Sequence, residues 1–258
     1  MKAIILSAGQ GRRLLPLTES RPKCLLSVSG RSVLDWQVQA LAASGVREIV
    51  VVTGFVSEAV EAAAARLNSG SVRVRTLLNP FYSVADNIGS CYVARPEMNG
   101  DFLLLNGDTL IEPAILQSLL RQATAPVTVT TDRKPCYDED DMKVSLDGRW
   151  LTAIGKKLPL EQTDAESIGL LLLRGEGGAL FARGVESVLR EPEGLKRYYL
   201  SAIDRLAETK QVGIVDIAGK RWREIDFPQD LALAEELTAI WAQQDWISGK
   251  AEPLAASQ

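Results

Sequence analysis

Hydrophobic positions along this chain alternate between short unbroken runs and longer stretches at helical spacing. Lys2–Leu6 and Glu48–Thr53 (EIVVVT) are apolar runs of buried-strand length, and Gly54 closes the second. Between them Leu34, Val38 and Leu41 recur at the period of a helix over Val33–Ala43, and Gly45 follows as a C-terminal cap. The pattern continues with an alanine-rich helix over Ser57–Leu67, strands over Val72–Leu78 and Asp101–Leu105, and a helix over Pro113–Gln122. The second half is less regular. It predicts strands at Val127–Thr131, Lys143–Leu146, Trp150–Ile154, Ile168–Leu173 and Gln211–Ile217. Helices are predicted near Ala179–Leu189, Arg197–Glu208 and from Pro228 to about Trp241. The βαβαβ rhythm predicts a Rossmann-like three-layer α/β/α sandwich with a mostly parallel central sheet. No linker or internal repeat divides it, so one domain is expected over 1–246, with a loose, small-residue tail over 247–258.

Composition then removes whole classes of chemistry. The 258 residues are 46% hydrophobic and 24% charged, which excludes general disorder. A formal net charge of -4 gives no basic field for nucleic acid or an anionic membrane, so neither is expected as a partner. There is no histidine. Ser-His-Asp and Cys-His nucleophiles, histidine zinc sites and 2-His-1-carboxylate iron sites are therefore excluded together. What remains is carboxylates, Lys, Arg, backbone amides and oxygen-bound metal. Cys24, Cys91 and Cys136 are scattered with no CxxC pair, as in a reducing compartment. The apolar run Ala3–Leu6 is too short for an export signal, so a cytoplasmic location is expected.

The first strand runs directly into LSAGQGRRLLPLTESRPK. Gly9 and Gly11 begin like a dinucleotide fingerprint, but Leu14 holds the third glycine position and Thr53 and Gly54 end the second strand without an acid. A Walker A loop is absent, because Pro22 precedes Lys23 and Cys24 follows it. The remaining signal is a glycine turn open to a phosphate, with Arg12, Arg13 and Lys23 supplying countercharge.

In that setting GxGxRLxPLT…PK resembles the nucleotidyltransferases that make sugar nucleotides and related activated alcohols. The resemblance spans nearly the whole chain and implies the nucleotide-diphospho-sugar transferase type of fold. It implies that Leu6, Ala8, Gly9, Gly11 and Arg12 line the nucleotide and that Arg13 and Lys23 are catalytic. Arg12 stands where the family usually has a small Ser or Thr. NGDT (Asn106–Thr109) and EIDFPQDL (Glu224–Leu231) resemble the metal motifs and imply Mg²⁺ on Asp108 and Asp226. As bare residues the two aspartates also read as helix-capping groups.

NPFYSVADNIGSCYVAR (Asn79–Arg95) is similar to the corresponding segment of choline-phosphate and other small-phosphoalcohol cytidylyltransferases. That places Asn87 and Ser90 along the nucleotide or acceptor pocket; the same stretch also reads as a helix capped by Asp86. DEDDMKV (Asp138–Val144), IGKKL (Ile154–Leu158) and AESIG (Ala165–Gly169) resemble inositol-phosphate and phosphonate cytidylyltransferases. They imply acceptor contacts from Lys143, Lys156 and Glu166. On composition alone, Asp138–Asp141 reads as a solvated loop. Tyr137, Trp150, Tyr198 and Tyr199 are candidate aromatic faces for an amine. The resemblance thus implies transfer of CMP from CTP to a small phosphorylated alcohol or phosphonate. A sugar-1-phosphate uridylyl- or thymidylyltransferase and a non-catalytic nucleotide sensor share the same motifs and stay open. Trp241 and Trp246 on the last helix are expected to be exposed and available to a homodimer.

Overall fold

A buried strand sends successive side chains to opposite faces, and this alternation builds two cores around one sheet. In a computed structural model that describes residues 1–244, Ala3 and Ile5 of β1 (Lys2–Leu6) enter one core, while Ile4 and Leu6 enter the other. A short hairpin, β2 (Ser27–Val28) and β3 (Arg31–Ser32), leads into α1 (Val33–Ala43). Ser32 caps α1 through a reciprocal bond with Asp35, satisfying amide groups that a helix start leaves open. Then follow β4 (Glu48–Thr53), α2 (Ser57–Leu67), β5 (Arg73–Leu78) and α3 (Asn87–Val93). Next come β6 (Phe102–Asn106), β7 (Thr109–Ile111), α4 (Pro113–Gln122) and β8 (Val127–Asp132). The second half holds β9 (Lys143–Asp147), β10 (Trp150–Gly155), β11 (Ala165–Leu173), α5 (Gly177–Leu189) and α6 (Leu200–Ala207). The described chain closes with β12 (Val212–Asp216), β13 (Trp222–Glu224) and α7 (Pro228–Trp241).

Nine strands form the central sheet in the order β5-β4-β1-β6-β11-β8-β12-β10-β9. Pairing is parallel from β5 to β6, as the βαβ rhythm requires. From β11 onward antiparallel pairs enter, and β9 bonds to both β10 and β11, so this end of the sheet curls back on itself. The curl explains why β11 begins at Ala165, three residues before the apolar run Ile168–Leu173: Glu166 pairs in register with Lys143 of β9. Helices α1, α2 and α4 cover one face through Leu34, Val60 and Leu116, and α3, α5 and α6 cover the other through Ile88, Phe181 and Ile203. The three-layer sandwich is as expected.

A third, smaller core lies at the side of the sandwich. There α7 packs Ala234 and Trp241 against Leu14, Trp36, Leu110 and Ile225. This corrects the expectation for Trp241: it is fully buried, with its ring centroid 6.1 Å from that of Trp36 in an edge-to-face pair. It is therefore not available to a dimer. Trp246 and the tail 247–258 lie outside the described residues. Truncation of Trp241 to Ala is expected to destabilise the fold by about 3–5 kcal/mol, because an aromatic-sized cavity opens in a closed core. Chemical denaturation of the variant checks this, and a loss below about 1 kcal/mol contradicts the packing.

Candidate active site

In open α/β sheets the carboxyl ends of parallel strands leave a crevice, and the site lies at that end of β1 and β6. Gly11 adopts a φ of 75°, a left-handed conformation that favours glycine. A Cβ there would also meet the stem of Lys23 at 3.1 Å, so the turn and the lysine are packed together. Thr18 steadies the loop by donating from its hydroxyl to the Gly11 carbonyl at 2.8 Å.

The metal motifs are drawn to this loop by backbone bonds. Gly107 donates to the Leu6 carbonyl at 3.0 Å, and a Cβ on Gly107 would stand 2.5 Å from that oxygen. The close approach sets Asp108 beside the glycine loop. Strand β13 pairs antiparallel with β7, matching Glu224 to Thr109, and Ile225 donates to the Asp108 carbonyl at 3.1 Å. Glu224 and Asp226, two residues apart, therefore reach the same place as Asp108. The capping alternative for Asp226 does not hold, because Asp230 supplies that cap: its carboxylate accepts from the amides of Asp226 and Phe227 at 2.9 and 2.7 Å. The Asp226 side chain is left to the cleft.

Lys23 joins these parts. Its ammonium donates to Asp108 at 2.8 Å and to Asp226 at 2.5 Å. Burial opposes its charge, but the two carboxylates overcome this and hold its pKa above the ordinary lysine value. Arg13 lies 3.5 Å from Asp226 and 3.1 Å from Asp140, with its guanidinium 5.3 Å from the centre of the Phe227 ring. Oxygens of Asp108, Glu224 and Asp226 lie within 4.8 Å of one another. Asp108 Oδ1 is buried with no hydrogen-bond partner. Burial, followed by the charges of Asp108 and Asp226, pushes Glu224 up to about 8. An all-oxygen acidic set with an orphaned buried oxygen fits a hard divalent cation. Glu224 had no assigned role in the sequence reading, although its i, i+2 spacing from Asp226 on a strand was the available signal.

Across the cleft, of about 340 Å³, stand the other expected residues. Asn87 and Ser90 line it, and both also hold structure. Asn87 accepts from the Tyr199 amide at 2.9 Å through its side-chain oxygen, and Ser90 accepts from Asn79 Nδ2 at 3.0 Å. Asp86 does cap α3, as its alternative reading had it. Leu6, Ala8 and Gly9 lie in the wall, while Arg12 faces an adjoining opening instead.

Lys156 and Glu166 also line the cleft. Lys156 donates to Asp140 at 3.1 Å and lies 5.4 Å from the Tyr198 ring centre. Glu166 pairs with Lys134 at 3.0 Å, and burial pushes its carboxyl up to about 7. Lys143 is corrected: it is buried, donates to the Lys156 carbonyl at 2.9 Å, and is not among the residues lining the cleft. It supports the segment that carries Lys156.

The acidic run is corrected too. Asp140 bridges Arg13 and Lys156, and Asp141 pairs with Lys134 at 2.6 Å, so two of its members form part of the cleft wall. Among the four candidate aromatics, Tyr198 faces the cleft. Tyr199 is fully buried against Phe181, Tyr137 donates to the Asp164 carbonyl, and Trp150 lies beside Arg149.

A glycine turn, two basic side chains and three carboxylates at the open end of a parallel sheet make a cleft whose chemistry suits phosphate groups and a divalent cation. The chain belongs to the MobA-like NTP transferase domain family, whose pattern it matches over residues 3–214. It is 32% identical over 245 residues to the bifunctional IPC transferase and DIPP synthase of Rubrobacter xylanophilus, covering 93% of this chain and 52% of that protein. The chain thus spans about half of that relative's length. It is 25% identical to the CTP:phosphoglutamine cytidylyltransferase of Campylobacter jejuni, covering 92% of this chain and all of that one. Among solved structures, the inositol-1-phosphate CTP transferase of T. maritima shares the fold with a TM-score of 0.76 and 22% identity, covering 94% of this chain and 96% of that one.

Two outcomes are expected. For the reaction proposed below, replacing Asp108 or Asp226 with Asn should lower turnover by at least about a hundredfold, and the double variant should be scarcely worse, since both carboxylates reach the same Lys23 ammonium. Pyrophosphate release measures this, and near-normal activity of Asp226→Asn contradicts the shared role. For the reaction proposed below, Lys156→Ala is expected to raise KM for the acceptor about tenfold, whereas Lys143→Ala should lower stability by about 1 kcal/mol by leaving a partly buried carbonyl unpaired. Paired kinetics and unfolding curves separate the two roles.

Proposed function

We propose that the protein is a Mg²⁺-dependent cytidylyltransferase that transfers CMP from CTP to a small phosphorylated alcohol or phosphonate and releases pyrophosphate. The observation that carries this reading is the meeting of Arg13, Lys23, Asp108 and Asp226 at the mouth of the glycine turn. The names of the Campylobacter and T. maritima proteins pair CTP with phosphoglutamine and with inositol-1-phosphate, and so support the choice of nucleotide and of a small phosphorylated acceptor. The Asn87/Ser90 segment and the DMKV and ESIG runs favour the same branch of the family.

The chemistry needs no histidine. A phosphate ester has a second pKa of about 6, so the acceptor enters largely as a dianion and needs no general base. Its oxygen forms a bond to the α-phosphorus of CTP as the bond from that phosphorus to the bridging oxygen breaks, and pyrophosphate leaves with the electron pair. Arg13 and Lys23 stabilise the negative charge that gathers on the α-phosphate and the departing group. Asp108 and Asp226, with Glu224 beside them, would hold Mg²⁺, which when bound supplies further neutralisation of the phosphate oxygens. Asn87 and Ser90 bound the nucleotide side, and Lys156 and Glu166 the acceptor side.

A site that accepts from cytosine's exocyclic amine leaves buried groups unpaired with uracil, at about 1–3 kcal/mol for each group. CTP is therefore expected to exceed UTP and dTTP by at least about tenfold in kcat/KM, or about 1.4 kcal/mol. Pyrophosphate release from all four triphosphates with a panel of phosphoalcohols, phosphonates and sugar-1-phosphates is the test. Equal use of UTP with a sugar-1-phosphate overturns the assignment. No release with any pair points to a nucleotide sensor.

A further inference from the structure

Each cation of the cleft is already paired with a carboxylate before any nucleotide arrives. Arg13, Lys23 and Lys156 are the cations there, and Asp108, Asp140 and Asp226 pair with them in the contacts described above. With Asp86, Asp141, Glu166 and Glu224 also in the wall, the side chains of the cleft offer no net positive charge to a triphosphate that carries several negative ones. Beyond the Mg²⁺ that Asp108 and Asp226 would hold, an anion of that size draws countercharge from elsewhere along its path.

A second opening of about 560 Å³ adjoins the cleft. Both are lined by Gly11, Arg13, Asp86 and Asp226, so the opening continues outward from the glycine turn. Its two further cations are Arg12 and Lys196. Arg12 is exposed and forms no ion pair among the described residues. Lys196 pairs with Glu193 at 2.6 Å, and both side chains are largely exposed, so the pair is weak and easily exchanged. The turn that carries Lys196 is not loosely placed: Asp86 donates its amide to the Leu195 carbonyl at 2.7 Å, fixing that turn to the start of α3 in the cleft wall. Arg12 and Lys196 thus stand on separate segments around one opening.

We propose that Arg12 and Lys196 form a binding site for the outer phosphates of the nucleoside triphosphate, the part that departs as pyrophosphate. This rests on the reading of the cleft as a nucleoside-triphosphate site but not on the identity of the base. Lys196 has no other role in the chemistry described above. Arg12, which replaces a small residue of the family pattern, gains a function by reaching the same end of the ligand. With the outer phosphates held there, the nucleoside and α-phosphate would lie further in, on the side of Asn87 and Ser90.

The test is calorimetric binding of CTP, CMP and inorganic tripolyphosphate to the full chain with Mg²⁺ present, comparing wild type with Arg12→Ala and Lys196→Ala. Each variant is expected to weaken CTP and tripolyphosphate about three- to tenfold, a range suited to exposed charge-assisted contacts, and to leave CMP within about twofold. Lys196→Arg should keep most of the affinity, and the loss should shrink as salt is raised. Unchanged CTP affinity in both variants overturns the proposal, as does an equal loss for CMP. Both substitutions are on the surface, and an unaltered unfolding midpoint shows that the fold is intact. If wild type prefers UTP, the cytidylyl reading fails, while the contrast of UTP with UMP still decides this one. A wild type that binds neither a triphosphate nor tripolyphosphate overturns both.

Discussion

The Lys23 ammonium, held between Asp108 and Asp226, is the contact on which the rest of the site depends. It ties positions 85 and 203 residues apart in sequence to the first turn of the chain. Taking that charge out of water is unfavourable, and only two carboxylates at close range reverse the balance. Losing either partner leaves a buried charge incompletely compensated. The surrounding backbone is arranged to prevent that: the Gly11 turn packs on the lysine stem, the Gly107 approach brings in Asp108, and pairing of β13 with β7 brings in Asp226. The small core of Leu14, Trp36, Ile225 and Trp241 lies under the same segments, which links packing at the edge of the fold to the chemistry at its mouth.

The cleft is a set of ion pairs that substrates can exchange. Asp140 stands between Arg13 and Lys156, side chains that the proposed reaction assigns to phosphate groups on two different substrates. Its pKa is lowered chiefly by the Lys156 hydrogen bond, so it stays charged in this position. Entry of a phosphate there exchanges one anion for another, and the net gain is smaller than a direct count of contacts suggests. Partial exposure of these pairs limits the cost of the exchange, since water screens both the old contact and the new one.

Much of the fold was legible because strand and helix periods differ. Val33–Ala43, Glu48–Thr53, Ser57–Leu67 and Pro113–Gln122 have the bounds their patterns indicate. The hairpin of β2 and β3 and the three-residue strand β7 left no signal, because two or three residues cannot display a period. Lys143 was legible as a lysine near the acceptor segments but not as a buried donor to a carbonyl, since sequence does not give the direction of a side chain at a sheet that curls. Trp241 on a surface-like helix was illegible for a related reason: its partner Trp36 lies on α1, and only the closing of the third core covers it.

The sequence by itself determined the three-layer α/β/α architecture, the exclusion of histidine chemistry, the glycine turn and the two carboxylate motifs. Each of these is local, carried by a period or by a few adjacent residues. The tertiary structure alone decided that Glu224 joins Asp108 and Asp226, that Asp140 spans the cleft, and that Arg12 and Lys196 face one opening. Those are relations between segments far apart along the chain. Their distances follow from strand order and register, which are settled only when the whole sheet packs and the burial of both its faces selects one arrangement.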